Sequence, residues 1–272
     1  MKTKNLLKAS LASLGSLAAV TAIAALPSVA LAGPGLTLDA GKVNVTATAE
    51  INMSKDLVGK PFSLAPDISY GVSDDLTVML VHSTFLTTGF RGAAGGGLCL
   101  AAQEDGCVSI YNNVGVEALY GVKTGPASLA LNAGVHALNL DASFYSAKLG
   151  AKFRYTAGKM VVLTSPSVLV AVTERDPDAP KPQNKDSLWV PVAVSYKATP
   201  EVAVGAATGI KGPLDGFGDN WTTSLGFFGT YAMSKTAAVG ASWTFGKMIG
   251  GLPEAALGAD FRAVQLWFSY TL

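Results

Sequence analysis

The chain has 272 residues, of which 49% are hydrophobic and only 14% are charged, and its formal net charge is +1. Soluble domains carry roughly 25% charged residues, so this composition argues against an ordinary soluble protein. The near-neutral balance gives no electrostatic reason to expect nucleic acid as a partner. The length allows one large domain or two small ones.

The first 32 residues have the features of an export signal. Three lysines among the first eight residues form a basic start, an apolar stretch covers 11–26, and Ala30-Leu31-Ala32 supplies the small residues of a cleavage site. We therefore predict a signal peptide over 1–32 and a mature domain over 33–272. The alternative is an uncleaved anchor, which the shortness of the apolar stretch disfavours. Cleavage removes three lysines and leaves 17 basic against 19 acidic residues, a net charge of −2.

The mature chain begins with an alternation of apolar and polar residues over 43–53, and the same pattern returns at 62–70 and 128–135. Side chains of a strand switch faces at every residue, so each segment has one apolar and one small or polar face. The mature chain also contains no uninterrupted apolar run of ~18–20 residues, the length of a transmembrane helix. Both features indicate a closed barrel with an apolar outer face and a wet interior.

Short polar turns alternate with longer connections along the chain. Five turns follow strands that end near a tyrosine, and longer connections are expected at 54–61, 85–108, 139–143, 174–187, 211–221 and 246–259. Six loops and five turns join twelve strands. We predict an all-β fold, a closed antiparallel transmembrane β-barrel of about 12 strands with short periplasmic turns and longer external loops. The competing fold is a secreted β-sandwich.

Tyrosines and prolines have distinct positions in this pattern. Tyrosine has an apolar ring and a polar tip, so one at each turn predicts an aromatic girdle at a membrane interface. The residues of this girdle are Tyr70, Tyr120, Tyr155, Tyr196, Tyr231 and Tyr270. Pro66, Pro166 and Pro191 fall inside predicted strands, where proline cannot donate to the ladder. A bulge or a shortened strand is expected at each.

The C-terminal residues alternate to the last position. The apolar members of the pattern are Val264, Leu266, Phe268, Tyr270 and Leu272. This pattern resembles the C-terminal signal by which the barrel-assembly machinery recognises bacterial outer-membrane proteins, although that signal usually ends on Phe or Trp. The mature chain as a whole resembles small twelve-stranded porins and channels. The resemblance implies location in the bacterial outer membrane, with outer-membrane lipid, the assembly machinery and small solutes as partners.

Ionisable residues on the inward set of the strands are the candidate pore-lining residues. They are Glu50, Asp67, Glu117, His136, Lys148, Lys152 and Arg154. The three cations share one face of one strand, and acids on other strands would face them, as in a pore constriction with a transverse field. The alternative is that these charges pair and close the lumen. Many other inward residues are small, which favours a narrow passage.

The two cysteines, Cys99 and Cys107, lie close together in a polar, glycine-rich stretch. In an exported protein such a pair predicts a disulfide that closes a small loop. Metal binding is the alternative, but no histidine or second cysteine pair is nearby. No other metal-ligand spacing is present, and no cofactor is expected.

A catalytic interpretation depends on His82. The pattern places His82 on the lipid-facing side of a strand, with Thr84 facing the same way and Asn112 on the following strand. This set resembles the Ser-His-Asn group of outer-membrane phospholipase A, but threonine replaces serine and the surrounding His-Ser-Asn-Gly pattern is absent. A non-catalytic interface position is the favoured interpretation.

The expected function is a porin-like outer-membrane channel for passive diffusion of small solutes, which carries out no catalysis. The 85–108 loop and the lumen charges are expected to gate it. The second hypothesis is a structural or adhesive barrel that acts through its external loops. The third is a lipid-acting outer-membrane enzyme.

Overall fold

The computed structural model describes residues 36–55, 57–90, 95–100, 109–176 and 184–272. The predicted signal peptide over 1–32 lies outside these ranges. The strands within the described residues are β1 (Val43–Asn52), β2 (Phe62–Ser73), β3 (Leu76–Val81), β4 (Leu98–Cys99), β5 (Val114–Lys123), β6 (Ala127–Asn139), β7 (Phe144–Ala157), β8 (Met160–Thr164), β9 (Ser167–Ala171), β10 (Ser187–Lys197), β11 (Val202–Pro213), β12 (Thr222–Ala232), β13 (Ala237–Gly250) and β14 (Arg262–Thr271).

Short helices accompany the strands. They are α1 (Thr84–Thr88), α2 (Phe217–Asn220) and a 3₁₀ turn at Glu254–Ala256. No helix in the described part of the chain is long and apolar enough to cross a bilayer.

The strands form one closed antiparallel sheet. β1 pairs with β2 on one side and with β14 on the other, from Asn44↔Thr271 to Asn52↔Ala263. β8 and β9 occupy one wall position between β7 and β10, and the two-residue β4 pairs with the outer end of β2. The described wall therefore contains twelve strand positions, which confirms the predicted fold class.

Short and long connections separate to opposite ends of the barrel. The connections at one end are the short turns 74–75, 124–126, 158–159, 198–201 and 233–236. Those at the other end are 53–61, 82–113, 140–143, 172–186, 214–221 and 251–261, and all of them except 140–143 are longer than the turns. At the turn end, the first and last wall residues, Val43 and Leu272, exchange backbone hydrogen bonds. The alternation of turns and loops is as predicted, but the second connection is longer than the predicted 85–108.

The outer face of the wall is apolar. Large exposed side chains such as Val135, Leu149 and Phe227 project outward, whereas their strand neighbours point inward and are small or polar. The six tyrosines of the predicted girdle are all 40–55% exposed, and each lies within the last four residues of its strand at the turn end. This placement is compatible with an interfacial role, which stays a prediction.

The wall accommodates its prolines without shifting the strand register. On the side away from β1, Pro66 faces a gap between β3 and β4. The backbone N–H that proline lacks is therefore not needed by a neighbouring strand there. Pro166 separates β8 from β9, and Pro191 lies beside the same interruption in β10. The pairs on both sides of the interruption keep one register, so the expected bulges are wrong. Only Pro166 shortens its strand.

Candidate functional site

The connection after β3 folds into the barrel. β3 ends at Val81, and the chain then turns inward through α1, whose N-terminus is capped by the Ser83 hydroxyl. It returns to the wall where β4 pairs with β2 and Leu98 bridges to Tyr111. We call residues 82–97 the inward loop. The structure describes all of it except 91–94.

Two inward-facing carboxylates hold the near side of the inward loop. Glu50 Oε1 accepts hydrogen bonds from Thr84 N at 2.8 Å, Thr84 Oγ1 at 2.7 Å and Gln265 Nε2 at 3.1 Å, and its Oε2 accepts from Gly96 N at 2.9 Å. Asp67 Oδ1 accepts from the backbone of His82 at 2.6 Å and of Ser83 at 2.9 Å. Both carboxylates are buried. Their hydrogen-bonding capacity is therefore largely used by the loop.

The far side of the inward loop contacts the opposite wall. The Leu86 carbonyl accepts a hydrogen bond from Lys148 Nζ at 3.0 Å. Gly89 has φ +75°, and a Cβ at this position would lie 2.5 Å from Pro191 Cγ, so only glycine fits. Phe90 is buried beside Lys211, whose Nζ is 5.4 Å from the ring centroid. The loop therefore extends across the lumen from β1 and β2 to β10 and β11.

Residues 36–40 also enter the lumen, from the turn end. Leu38 is fully buried, and its N–H donates to Thr77 Oγ1 at 2.8 Å. An apolar cluster forms around it from Leu36, Leu38, Met79, Val81, Leu86, Leu119 and Ala130. The cluster joins residues 36–40 to the inward loop and fills the lumen beside β3 and β5. The sequence analysis did not detect this contribution, although the apolar Leu36 and Leu38 lie just before β1.

The candidate residues Glu117, His136 and Lys148 form one buried network. Glu117 Oε1 accepts from Lys148 Nζ at 2.7 Å and lies 2.9 Å from His136 Nε2. Its other oxygen accepts from Asn132 Nδ2 at 2.7 Å. Side chains predicted to face one another across the pore are thus joined directly, and the acid is satisfied by its neighbours.

Lys152 and Arg154 continue the basic stripe along β7. Both side chains are buried and point inward. Arg154 Nη2 lies 3.4 Å from Ser128 Oγ. Lys152 makes no ion pair with a described residue and borders a cavity of about 40 Å³ between the inward loop and the wall of β7–β11. All seven candidate residues thus lie inside the barrel, and their role in a pore stays a prediction.

Glycines on the inward face leave space in which aromatic rings pack directly against the wall. A Cβ on Gly240 would lie 2.2 Å from Trp267 Cζ2, and one on Gly205 would lie 2.4 Å from Phe228 Cζ. Trp267 and Phe228 are both buried. The expectation that small inward residues leave the lumen open is therefore wrong at these positions, because large neighbours cover them.

His82 does not lie on the lipid-facing side of a strand as predicted. Because β3 ends one residue earlier, its ring fills the wall gap, with Nδ1 against the Pro66 carbonyl and Nε2 against the Tyr111 hydroxyl. Burial lowers the pKa of His82, which favours a neutral ring that donates through one nitrogen and accepts through the other. Thr84 points into the lumen toward Glu50. The phospholipase-like grouping is thus absent from these residues.

Asn112 likewise takes part in loop structure. Its side-chain amide donates to Gly95 O at 2.7 Å, and its oxygen accepts from Ser109 N at 2.9 Å. Cys99, the last residue of β4, is buried. Cys107 lies outside the described residues, so the pairing of the two cysteines stays a prediction.

An antiparallel barrel with an apolar outer face and a polar inner face is the architecture of bacterial outer-membrane proteins, and this chain is an outer-membrane β-barrel. Its fold is similar to that of the NanC porin (TM-score 0.57, 10% identity, 84% of this chain and 100% of that chain covered). It is also similar to an outer membrane channel from Pseudomonas putida F1 (0.53, 11%, 87% and 97%). A third similar structure is the KdgM porin in complex with disordered oligogalacturonate (0.50, 8%, 84% and 98%).

No protein-family model matches the chain, and no curated protein matches its sequence. At these levels of identity the structural similarities establish the fold alone.

Proposed function

We propose that the chain is a porin-like outer-membrane channel for passive diffusion of small solutes, with the inward loop as its constriction. Three features support the proposal: a closed wall, polar residues along its inner face, and a loop that crosses the lumen and leaves a cavity against the opposite wall. Twelve strands enclose a lumen between the filled interior of eight-stranded barrels and the wide channel of sixteen-stranded ones.

The charges that remain along the passage favour anions. The carboxylates of Glu50 and Asp67 are covered by the N–H groups of the inward loop, and Glu117 is paired with Lys148. Lys152 lies on the opposite wall and interacts electrostatically with the same Glu117, so two lysines share one carboxylate. This excess of positive charge beside the cavity is the observation that carries the proposal. Pores lined by uncompensated lysine or arginine favour anions.

The test is the reversal potential of the refolded protein in a planar bilayer under a salt gradient. The parent protein is expected to prefer anions, and Lys152→Met is expected to shift the preference toward cations. Neutralising Lys148, Lys152 and Arg154 together is expected to shift it further. Lys235→Met is the matched control because Lys235 is exposed in a turn. An unchanged reversal potential in both lumen variants would reject the assignment of the basic stripe.

The second candidate is a structural or adhesive barrel that acts through its external loops. The apolar cluster around Leu38 favours it, because this cluster closes part of the lumen. This candidate predicts that the refolded barrel does not conduct. It also predicts that cells lose the protein's phenotype when the external loops are shortened. Conducting parent protein with no effect of loop trimming would reject it.

We propose further that the chain does not act as a lipid-processing enzyme. The support is that the His82 ring is occupied by Pro66 and Tyr111, while the Thr84 hydroxyl donates to Glu50. Phospholipid hydrolysis by the refolded parent protein that is lost in His82→Ala would overturn this proposal.

A further inference from the structure

The cavity beside the inward loop is lined by a buried cation, Lys152, that forms no direct ion pair with a described residue. Lys152 is 9% exposed and lines the cavity. It makes no hydrogen bond or ion pair with any described residue, whereas its neighbour Lys148 is satisfied by Glu117 and the Leu86 carbonyl. Its favourable charge interaction is with Glu117, which Lys148 already binds at 2.7 Å, so the two lysines share one carboxylate. A buried ammonium group whose charge is only partly balanced is unfavourable, and an anion in the cavity would complete the balance.

A second polar group borders the same cavity. Ser167 is buried on the neighbouring strand β9, and its hydroxyl has no hydrogen-bond partner within the described part of the chain. Its strand partner is Gly150, which lies between the two lysines on the inward face of β7. A Cβ on Gly150 would lie 2.8 Å from Ser167 Cβ, so glycine is required for the close approach of the strands. The ammonium and the hydroxyl are therefore both available to one ligand.

The rest of the lining limits the size and chemistry of the ligand. A buried water needs roughly 10–15 Å³ of such volume, so about 40 Å³ holds only a few non-hydrogen atoms. Beyond the two polar groups, much of the surface is apolar, with contributions from Leu36, Phe85, Leu163, Ala193 and Ala207. An anion with a small apolar end fits this combination better than a fully hydrated inorganic ion.

We propose that this cavity is a binding site for a short-chain aliphatic monocarboxylate of the size of acetate. The carboxylate oxygens accept from Lys152 Nζ and Ser167 Oγ, and the methyl group lies against the apolar lining. The inference rests on the proposed function, because it identifies the class of solute that the constriction holds during passage.

The experiment is an NMR titration of ¹³C-methyl acetate with the protein refolded in detergent, at constant ionic strength set by a bulky organic buffer. Saturable line broadening is expected for the parent. Lys152→Met is expected to weaken binding by about tenfold or more, as for loss of a charged hydrogen-bond partner. Ser167→Ala is expected to weaken it by about threefold. Lys235→Met should bind as the parent does, and heat-modifiable gel mobility checks that each variant is folded.

Two further anions test the chemistry of the site. Nitrate lacks the methyl group and should bind about fourfold more weakly, the contribution of one buried methyl group. Pivalate carries the same carboxylate but is too bulky for the cavity and should not compete. Acetate binding that persists in both Lys152→Met and Ser167→Ala would overturn the proposal, as would binding of pivalate as tight as that of acetate.

Bilayer recordings on the same preparation separate this inference from the proposed function. Conductance without acetate binding that depends on Lys152 would overturn the site and leave the channel intact. Acetate binding that depends on Lys152, in protein that does not conduct, would support the site and reject the channel.

Discussion

Glu50→Gln is expected to loosen the inward loop. The carboxylate accepts four hydrogen bonds, three at Oε1 and one at Oε2. Glutamine has nearly the same shape but only one acceptor oxygen. If this oxygen replaces Oε1, the amide nitrogen faces the Gly96 N–H, and two donors then oppose each other.

The magnitude follows from the change in hydrogen bonding. One hydrogen bond to a charged group, worth about 1.5–3 kcal/mol, is lost, and the others become neutral and weaker. Burial of an amide is less unfavourable than burial of a carboxylate, which offsets part of the loss. A net destabilisation of the loop by about 2 kcal/mol corresponds to a roughly 30-fold larger open population.

Hydrogen exchange followed by mass spectrometry measures this change directly. Peptides that contain residues 82–90 should exchange about 30-fold faster in Glu50→Gln than in the parent, while peptides from β12 and β13 remain unchanged. Glu254→Gln is the matched control, because Glu254 is exposed in an external loop. Equal exchange of 82–90 in the parent and in Glu50→Gln would refute the reasoning that Glu50 holds the loop.

Two substitutions and one thiol assay give further tests. Gly240→Val is expected to lower the free energy of unfolding in urea by about 1–3 kcal/mol, because the added side chain displaces the ring of Trp267. Gly229→Val should have little effect, because an added Cβ there would come no closer than 4.0 Å to the Ala203 carbonyl oxygen. Equal unfolding midpoints for the two variants would contradict this. Leu38→Ala removes a fully buried side chain, at about 2–5 kcal/mol, and should raise single-channel conductance by releasing residues 36–40; unchanged conductance would exclude them as an obstruction. Thiol titration of the unfolded, unreduced protein should detect no free thiol if Cys99 and Cys107 are paired, and two thiols would reject the disulfide.

The alternation of apolar and polar residues along the strands was sufficient to predict the barrel. Lipid and lumen impose opposite demands on successive side chains, so the inward positions of Glu50, Asp67 and Arg154 follow from strand periodicity alone. The positions of the connections follow from local turn chemistry in the same way. These features depend on neighbouring residues, which a sequence pattern records.

The inward loop could not be predicted in this way. Leu80, His82 and Thr84 continue the strand pattern, so the sequence predicts a longer strand with His82 outward. The chain leaves the wall because carboxylates on other strands, Glu50 and Asp67, bind its N–H groups. Those contacts are 15–34 residues apart in sequence, and no local period reports them.

The same reason explains why the sequence predicted the positions of the lumen charges but not their pairing. The sequence placed acids and bases on the inward face of different strands, but which groups pair depends on side-chain distances within the folded barrel. Glu117 contacts Lys148 directly, whereas Lys152, four residues further along the same face of β7, makes no direct ion pair with a described residue. The excess of lysine over acid beside the cavity, on which the proposed anion preference rests, therefore emerges only from the folded interior.

Single-channel recording of the refolded parent protein in a planar bilayer is the most direct test of the central claim that this barrel is a solute passage. The account predicts discrete, reproducible conductance steps with a preference for anions. Absence of steps from protein whose folding is confirmed by heat-modifiable gel mobility would contradict it, and would favour a barrel that acts through its external loops.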